Sequence, residues 1–288
     1  MSKTLIGKNG YLFLNNDTCR ELEVHCNNLN LVGDHSLKRY SFSNFMLIVF
    51  PNKSFILKDN LPDGYNAIYR PAIDTYKNVL GNKCVDAYEM LNKEDNVYYK
   101  TDTHINTKGG YIVYKYFIEN LNKIYDLNIQ PKEINFQHKK CLLHYTWCGL
   151  GDLLSPLNLG NQSINEEDKI DDFYESEDIL KIYYGYKINS TNDIKVFDYD
   201  LCDKTEELNN TLVTWEIVSS YVLYKINNNS DNKYKVIIFY DSFLLSTISL
   251  YLDLFFEVYM FKCIYNNNII DKIQPDYVFE FRVERFLF

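Results

Sequence analysis

Lys235-Val236-Ile237-Ile238-Phe239-Tyr240-Asp241-Ser242-Phe243 is the stretch on which the reading of this chain turns. Six residues with almost no polar interruption have the length and β-branched content of a fully buried strand, which suits a parallel sheet covered on both faces. A polar turn, Asn227 to Asn232, precedes it. Leu245, Ile248, Leu252, Phe255 and Phe256 follow at helical spacing and predict a helix. Ser242 therefore falls between the carboxyl end of a central strand and the start of a helix. In open parallel sheets that edge is where ligands bind. A helix start adds unpaired N–H groups and the positive end of a dipole, both suited to an oxyanion.

A serine needs a base within hydrogen-bond reach. Among five histidines, His104 stands two residues from an acid in Tyr98-Tyr99-Lys100-Thr101-Asp102-Thr103-His104. Asn106-Thr107 can cap a helix on which Tyr111, Tyr114, Phe117, Ile118 and Leu121 recur at helical spacing. Asp102 and His104 then lie in the loop before that helix, where residues i and i+2 can reach one pocket; within a helix they would point apart. The structural alternatives are plain: Ser242 as a helix N-cap and Asp102 as a capping or turn residue.

Working outward, Tyr11 to Leu14 reads as a short strand and Met46 to Phe50 as a buried parallel strand ending at Pro51. Residues 71–80 read as a helix with Ile73, Tyr76 and Leu80 inward and Gly81 just past its end. Tyr88 and Leu91 are inward positions of a segment of either type. Pro275-Asp276 precedes a last strand, Tyr277 to Phe281. Strands alternating with helices point to an α/β sandwich with a mostly parallel sheet. At 288 residues and 46% hydrophobic, the chain suits one domain spanning 1–288. Residues 162–178 are acidic and poor in large aliphatics, and read as a solvated insertion around 160–180, with a docking surface for a basic partner as the functional alternative.

Composition also excludes. The net charge of −9 and the lack of a Lys/Arg-rich block argue against nucleic acid. The most apolar region, Val236 to Phe261, is interrupted by Asp241, Asp253 and Glu257, so no membrane span is expected. No apolar stretch follows a basic start, so a soluble, intracellular chain is expected. Seven cysteines at irregular spacing read as free thiols in a reducing compartment, each a small buried apolar residue. His144 and Cys148 could share a helix face as zinc ligands, but a third and fourth ligand are not evident, and no metal is expected.

Six segments, in order, resemble the SGNH-type polysaccharide O-acetyltransferases of the alginate acetylation family (AlgX/AlgJ-like). They are Gly7-Lys8-Asn9-Gly10-Tyr11-Leu12-Phe13, Phe50-Pro51-Asn52-Lys53 with Leu61-Pro62 behind it, the segment ending in Asp102-Thr103-His104, Gly151-Asp152-Leu153, Asp241-Ser242-Phe243, and Pro275-Asp276-Tyr277-Val278 through Val283-Glu284-Arg285-Phe286-Leu287. Ile105 stands where the family carries Trp, and Tyr240 where it carries Gly. The resemblance implies an SGNH-hydrolase-like three-layer sandwich, permuted so that Asp and His precede Ser. It implies Asp102, His104 and Ser242 as a triad, an acetyl ester on Ser242, and a sugar or polysaccharide hydroxyl as acceptor. Gly151, Asp152 and Lys53 become candidates for oxyanion or substrate binding; a turn glycine and a surface lysine are the structural readings of Gly151 and Lys53. No tightly bound cofactor is implied, but an acetyl donor is. Exported relatives receive acetyl groups by relay, so an acetyl-relay protein is one source; for an intracellular chain acetyl-CoA is the other. An esterase of the same fold and a non-catalytic glycan-binding module are the competing readings.

Overall fold

The computed structural model describes residues 2–32, 37, 40–143, 151–176, 194–197, 222–228 and 230–287. Eleven strands lie within them: β1 Thr4–Ile6, β2 Leu12–Leu14, β3 Phe45–Phe50, β4 Cys84–Asp86, β5 Gln137–Leu142, β6 Ile170–Glu175, β7 Ile194–Phe197, β8 Val222–Ile226, β9 Lys235–Tyr240, β10 Glu257–Phe261 and β11 Tyr277–Val283. Seven of these form one sheet in the order β4-β3-β11-β9-β10-β8-β7. Pairing is parallel from β4 through β10 and antiparallel at β8 and β7.

The central strands are apolar throughout because both faces are covered. Successive side chains alternate between two cores. Met46, Ile48 and Phe50 of β3, Val236, Ile238 and Tyr240 of β9 and Phe279, Phe281 and Val283 of β11 pack on one side, with Val113, Tyr114, Phe117, Ile118 and Leu121 of helix Thr107–Tyr125 and Leu250, Tyr251 and Leu252 of helix Ile248–Leu254. Phe45, Leu47, Val49, Ile237, Phe239 and Val278 face the other side, against Ile73 and Tyr76 of helix Pro71–Leu80 and Ile269 and Ile270 of helix Asn267–Ile273. That is a three-layer α/β sandwich, as expected from the sequence. Asn106 caps helix Thr107–Tyr125, its side chain accepting from the Gly109 N–H, and Gly81 ends helix Pro71–Leu80 at φ 57°.

Four expectations need correction. The helix expected from Leu245 to Phe256 is a 3-10 turn, Ser242–Thr247, followed by a shorter α-helix, Ile248–Leu254. Phe255 is buried and Phe256 donates its N–H to Asn232 O, because the chain is already turning into β10. The acidic stretch is more than a solvated insertion: it contains β6, which pairs antiparallel with β5, and its Asp171 is only 2% exposed. Lys53 is likewise no surface residue, at 3% exposed. The last strand runs two residues further than expected, to Val283.

Among the described residues, no helix is long and apolar enough to cross a membrane. Cys19, Cys26, Cys84, Cys141 and Cys263 are free thiols. His144 and Cys148 lie outside the described residues.

Candidate active site

The parallel strands all end at the same edge, and the chain leaves that edge through polar segments. β3 ends at Phe50 and passes to Asn52 and Lys53; β9 ends at Tyr240 and passes to Asp241 and Ser242; β11 ends at Val283 and passes to Glu284 and Arg285. Asp241 sets the turn that presents Ser242. Its Oδ1 accepts the Phe243 N–H at 2.9 Å and its Oδ2 accepts the Val283 N–H at 2.7 Å. The cap of this turn is therefore Asp241, and Ser242 occupies its first position, where the backbone N–H has no acceptor within the turn.

His104 comes to Ser242 from a separate loop. The Asn106 N–H bonds Val97 O at 3.0 Å and the Tyr99 N–H bonds His104 O at 3.3 Å, so residues 97–106 form a narrow, closed loop with Asp102 at its tip. Asp102 is 1% exposed. Its Oδ1 accepts both the His104 N–H at 2.8 Å and the His104 ring Nδ1 at 2.7 Å, and its Oδ2 accepts the Asp152 N–H at 2.8 Å. An ionised carboxylate can only accept, so the proton sits on Nδ1 and the Nε2 lone pair faces outward. Nε2 lies 2.8 Å from Ser242 Oγ. The sequence places these groups 138 residues apart; the fold joins them in an unbroken chain of hydrogen bonds from acid to base to hydroxyl.

Electrostatics follow from the same contacts. Burial works against the charged imidazole, but the hydrogen bond and charge of Asp102, with Asp152 beside them, outweigh it and raise the proton affinity of His104. Burial likewise works against the Asp102 carboxylate, yet the His104 ring and the two backbone N–H donors hold it down to about 2. Asp152 is pushed up, by partial desolvation and then by the charge of Asp102.

Three groups, Lys53 and Asp171 buried and Asp152 partly exposed, brace the loop. Lys53 Nζ donates to the carbonyls of Leu12 (2.6 Å), Lys100 (2.8 Å) and Asp102 (3.0 Å), which uses all three of its protons. Its burial lowers its pKa to about 8. Lys53 is thus spent on the backbone and unavailable to an anionic substrate. Asp171 accepts from the Lys100 N–H, the Thr101 N–H and Thr101 Oγ at 2.7–2.8 Å. Asp152 accepts from the Thr103 N–H at 2.8 Å and from Thr103 Oγ at 2.6 Å. Gly151 lies so close to Thr101 that an added Cβ would sit 2.5 Å from Thr101 O, so no larger residue fits there. Behind the site, Phe243 packs with its ring centre 5.0 Å from that of His104 and 5.1 Å from the Arg285 guanidinium carbon.

Asp102, His104 and Asp152 place potential ligand atoms within 4.8 Å of one another. Each is already committed: Nδ1 to Asp102, Nε2 to Ser242, both Asp152 oxygens to Thr103. The donor set is that of a hydrogen-bond relay rather than of a cation site. Sequence reasoning missed Asp171 and Asp241 as anchors. Asp171 is hidden in an acidic run, and only its place in β6 distinguishes it. Asp241 adjoins Ser242, and the need for a cap just before the turn was a usable signal.

No protein-family model matches the chain, and no curated protein matches it. Solved structures do. PatB1 of Bacillus cereus is similar at a TM-score of 0.59 and 16% identity, covering 100% of this chain and 97% of that one. A DHHW family protein of Eubacterium siraeum is similar at 0.54 and 16%, covering 99% and 94%. The O-acetyltransferase domain of Pseudomonas putida AlgJ is similar at 0.50 and 13%, covering 100% and 92%. At these identities the likeness is one of fold: the chain has the SGNH-like α/β architecture that AlgJ and PatB1 share.

Proposed function

We propose that this chain is an O-acetyltransferase that passes an acetyl group through an ester on Ser242 to a hydroxyl of a sugar or polysaccharide. The observation that carries this reading is the relay itself, with Ser242 Oγ 2.8 Å from His104 Nε2 and His104 Nδ1 2.7 Å from Asp102 Oδ1, at the carboxyl edge of the parallel sheet. The shared fold with the O-acetyltransferase domain of Pseudomonas putida AlgJ supports the choice of reaction.

The cycle has two halves. As Ser242 Oγ attacks the acetyl carbonyl, its proton passes to His104 Nε2, and Asp102 steadies the imidazolium. The negative charge that builds on the carbonyl oxygen faces the Ser242 N–H, with the Gly151 N–H as a second candidate donor. The intermediate collapses, the leaving group takes the proton from His104, and the acetyl ester remains. In the second half His104 takes the proton of a sugar hydroxyl, whose oxygen attacks the ester; Ser242 Oγ leaves and takes that proton back from His104, which restores the starting state. Acetyl-CoA is the donor proposed first, and a relayed acetyl group on a partner protein the second.

Purified protein with p-nitrophenyl acetate, with and without sugar acceptors, tests the reaction class. Wild-type protein is expected to release p-nitrophenol faster with an acceptor present and to yield acetylated sugar, and Ser242→Ala to fall to background. Release that no acceptor stimulates assigns an esterase. Equal release by Ser242→Ala contradicts both enzymes. Parallel incubations with acetyl-CoA, followed by peptide mapping of Ser242, decide the donor.

A further inference from the structure

Resting on the roles proposed for Ser242 and His104, we propose that Asp152 is a positioning residue of this site, one that braces the loop carrying Asp102 and His104 and stabilises the imidazolium formed when Ser242 is deprotonated. The hydrogen bonds converge on it from both directions. Its backbone N–H donates to Asp102 Oδ2 at 2.8 Å, fixing the face of that carboxylate turned away from His104. Its own carboxylate closes a two-point clamp on Thr103, the residue between the acid and the base, at 2.8 and 2.6 Å. Asp152 Oδ2 then stands 3.8 Å from His104 Nδ1, too far for a hydrogen bond but close enough for charge to act.

The imidazole thus faces two carboxylates. Asp102 makes the hydrogen bond and is buried, whereas the Asp152 side chain is 36% exposed. Other charged or polar groups reach the same region from each packed element: Ser242 from the turn after β9, Thr103 from the loop, Arg285 from beyond β11 and Lys53 from beyond β3. Arg285 opposes protonation of the ring, and Lys53 is charge-coupled to both Asp102 and Asp152. A second carboxylate offsets Arg285 and keeps the base strong despite its burial.

The test separates charge from brace. Asp152→Asn removes the charge but leaves an oxygen for Thr103 and leaves the backbone N–H in place; Asp152→Ala removes charge and clamp. The His104 ring is followed by NMR titration of ring-labelled protein, its signal assigned by loss in His104→Gln, and near-UV circular dichroism checks the fold. In Asp152→Asn the His104 midpoint is expected to fall by roughly 0.5–1 pH unit. The acid limb of kcat/KM for p-nitrophenyl acetate should move down with it while KM stays put. Asp152→Ala should lose about a further tenfold in kcat, because the pair is no longer held in register. An unshifted midpoint in folded Asp152→Asn overturns the proposal, as does a profile that stays fixed while turnover persists. A shifted midpoint in a protein that never acylates Ser242 leaves the brace standing and removes the acetyltransferase reading instead.

Discussion

At the scale of single residues, the site is a matter of which atom holds which proton. Asp102 accepts from His104 Nδ1, so Nε2 is left to accept from Ser242. Only the neutral ring can act as base. Because its proton affinity is raised above the ordinary 6.5, Ser242 acylation should lose half its rate at a pH above 6.5 and recover as pH rises. A rate-versus-pH series with p-nitrophenyl acetate measures this, and a rate still at its plateau at pH 6 would contradict it. Asp102→Asn should turn its amide nitrogen toward His104, which favours the wrong ring tautomer and leaves the His104 backbone N–H without its acceptor, costing about three to four orders of magnitude in kcat. The sequence supplied the candidates, since an acid and a base two residues apart beside a helix cap are visible in the string. It did not supply the distance between His104 and Ser242, which the sheet sets. Nor did it distinguish Lys53 from a surface lysine: neighbouring residues say nothing of three carbonyls that converge on it from 41, 47 and 49 positions away.

At the scale of elements, the loop Val97–Asn106 is held by long-range anchors as well as by the bonds that close it. Lys53→Met should leave the carbonyls of Leu12, Lys100 and Asp102 without their donor. A loss of about 2–4 kcal/mol in urea unfolding is expected, together with a drop in kcat larger than any change in KM. Wild-type kcat in folded Lys53→Met would show that the loop holds itself. The strands were legible because burial on both faces leaves them apolar, as Phe45–Phe50 and Lys235–Tyr240 demonstrate. Helix Thr107–Tyr125 was legible from its cap and its apolar stripe. The element after Ser242 was less so. Its apolar residues do recur at helical spacing, but the capping bonds of Asp241 fix a tight 3-10 start and the strand β10 claims the chain from Glu257. Periodicity reports which residues are buried, not how many residues each turn contains.

At the scale of the whole molecule, the carboxyl edge of the sheet is tied together by buried charge. Arg70, just before helix Pro71–Leu80, forks onto Asp86 at the end of β4 (2.7 and 3.0 Å) and reaches Glu284 beyond β11 (2.8 Å). Arg285 next to it meets Glu21 at 3.3 Å, and Ser54 Oγ donates to the same carboxylate. Arg70→Met removes the cation that Glu284 depends on and leaves Asp86 only Lys77 and the Tyr88 N–H, and should cost about 3–5 kcal/mol of unfolding free energy. An unchanged denaturation midpoint would mean that the edge does not depend on this tie. Such pairings join residues up to 264 positions apart, so no window of sequence contains them. The layer order and the site's edge were nonetheless readable, because both follow from where apolar runs end in polar turns. In the proposed cycle Ser242 becomes acetylated during turnover. Acid-quenched peptide mapping by mass spectrometry, within the first turnovers with p-nitrophenyl acetate, tests it most directly. One acetyl group is expected on the peptide containing Ser242 in wild-type protein, strongly reduced in His104→Gln and absent from that peptide in Ser242→Ala. Turnover with no acetyl group at Ser242, or with the label on another residue, would contradict it.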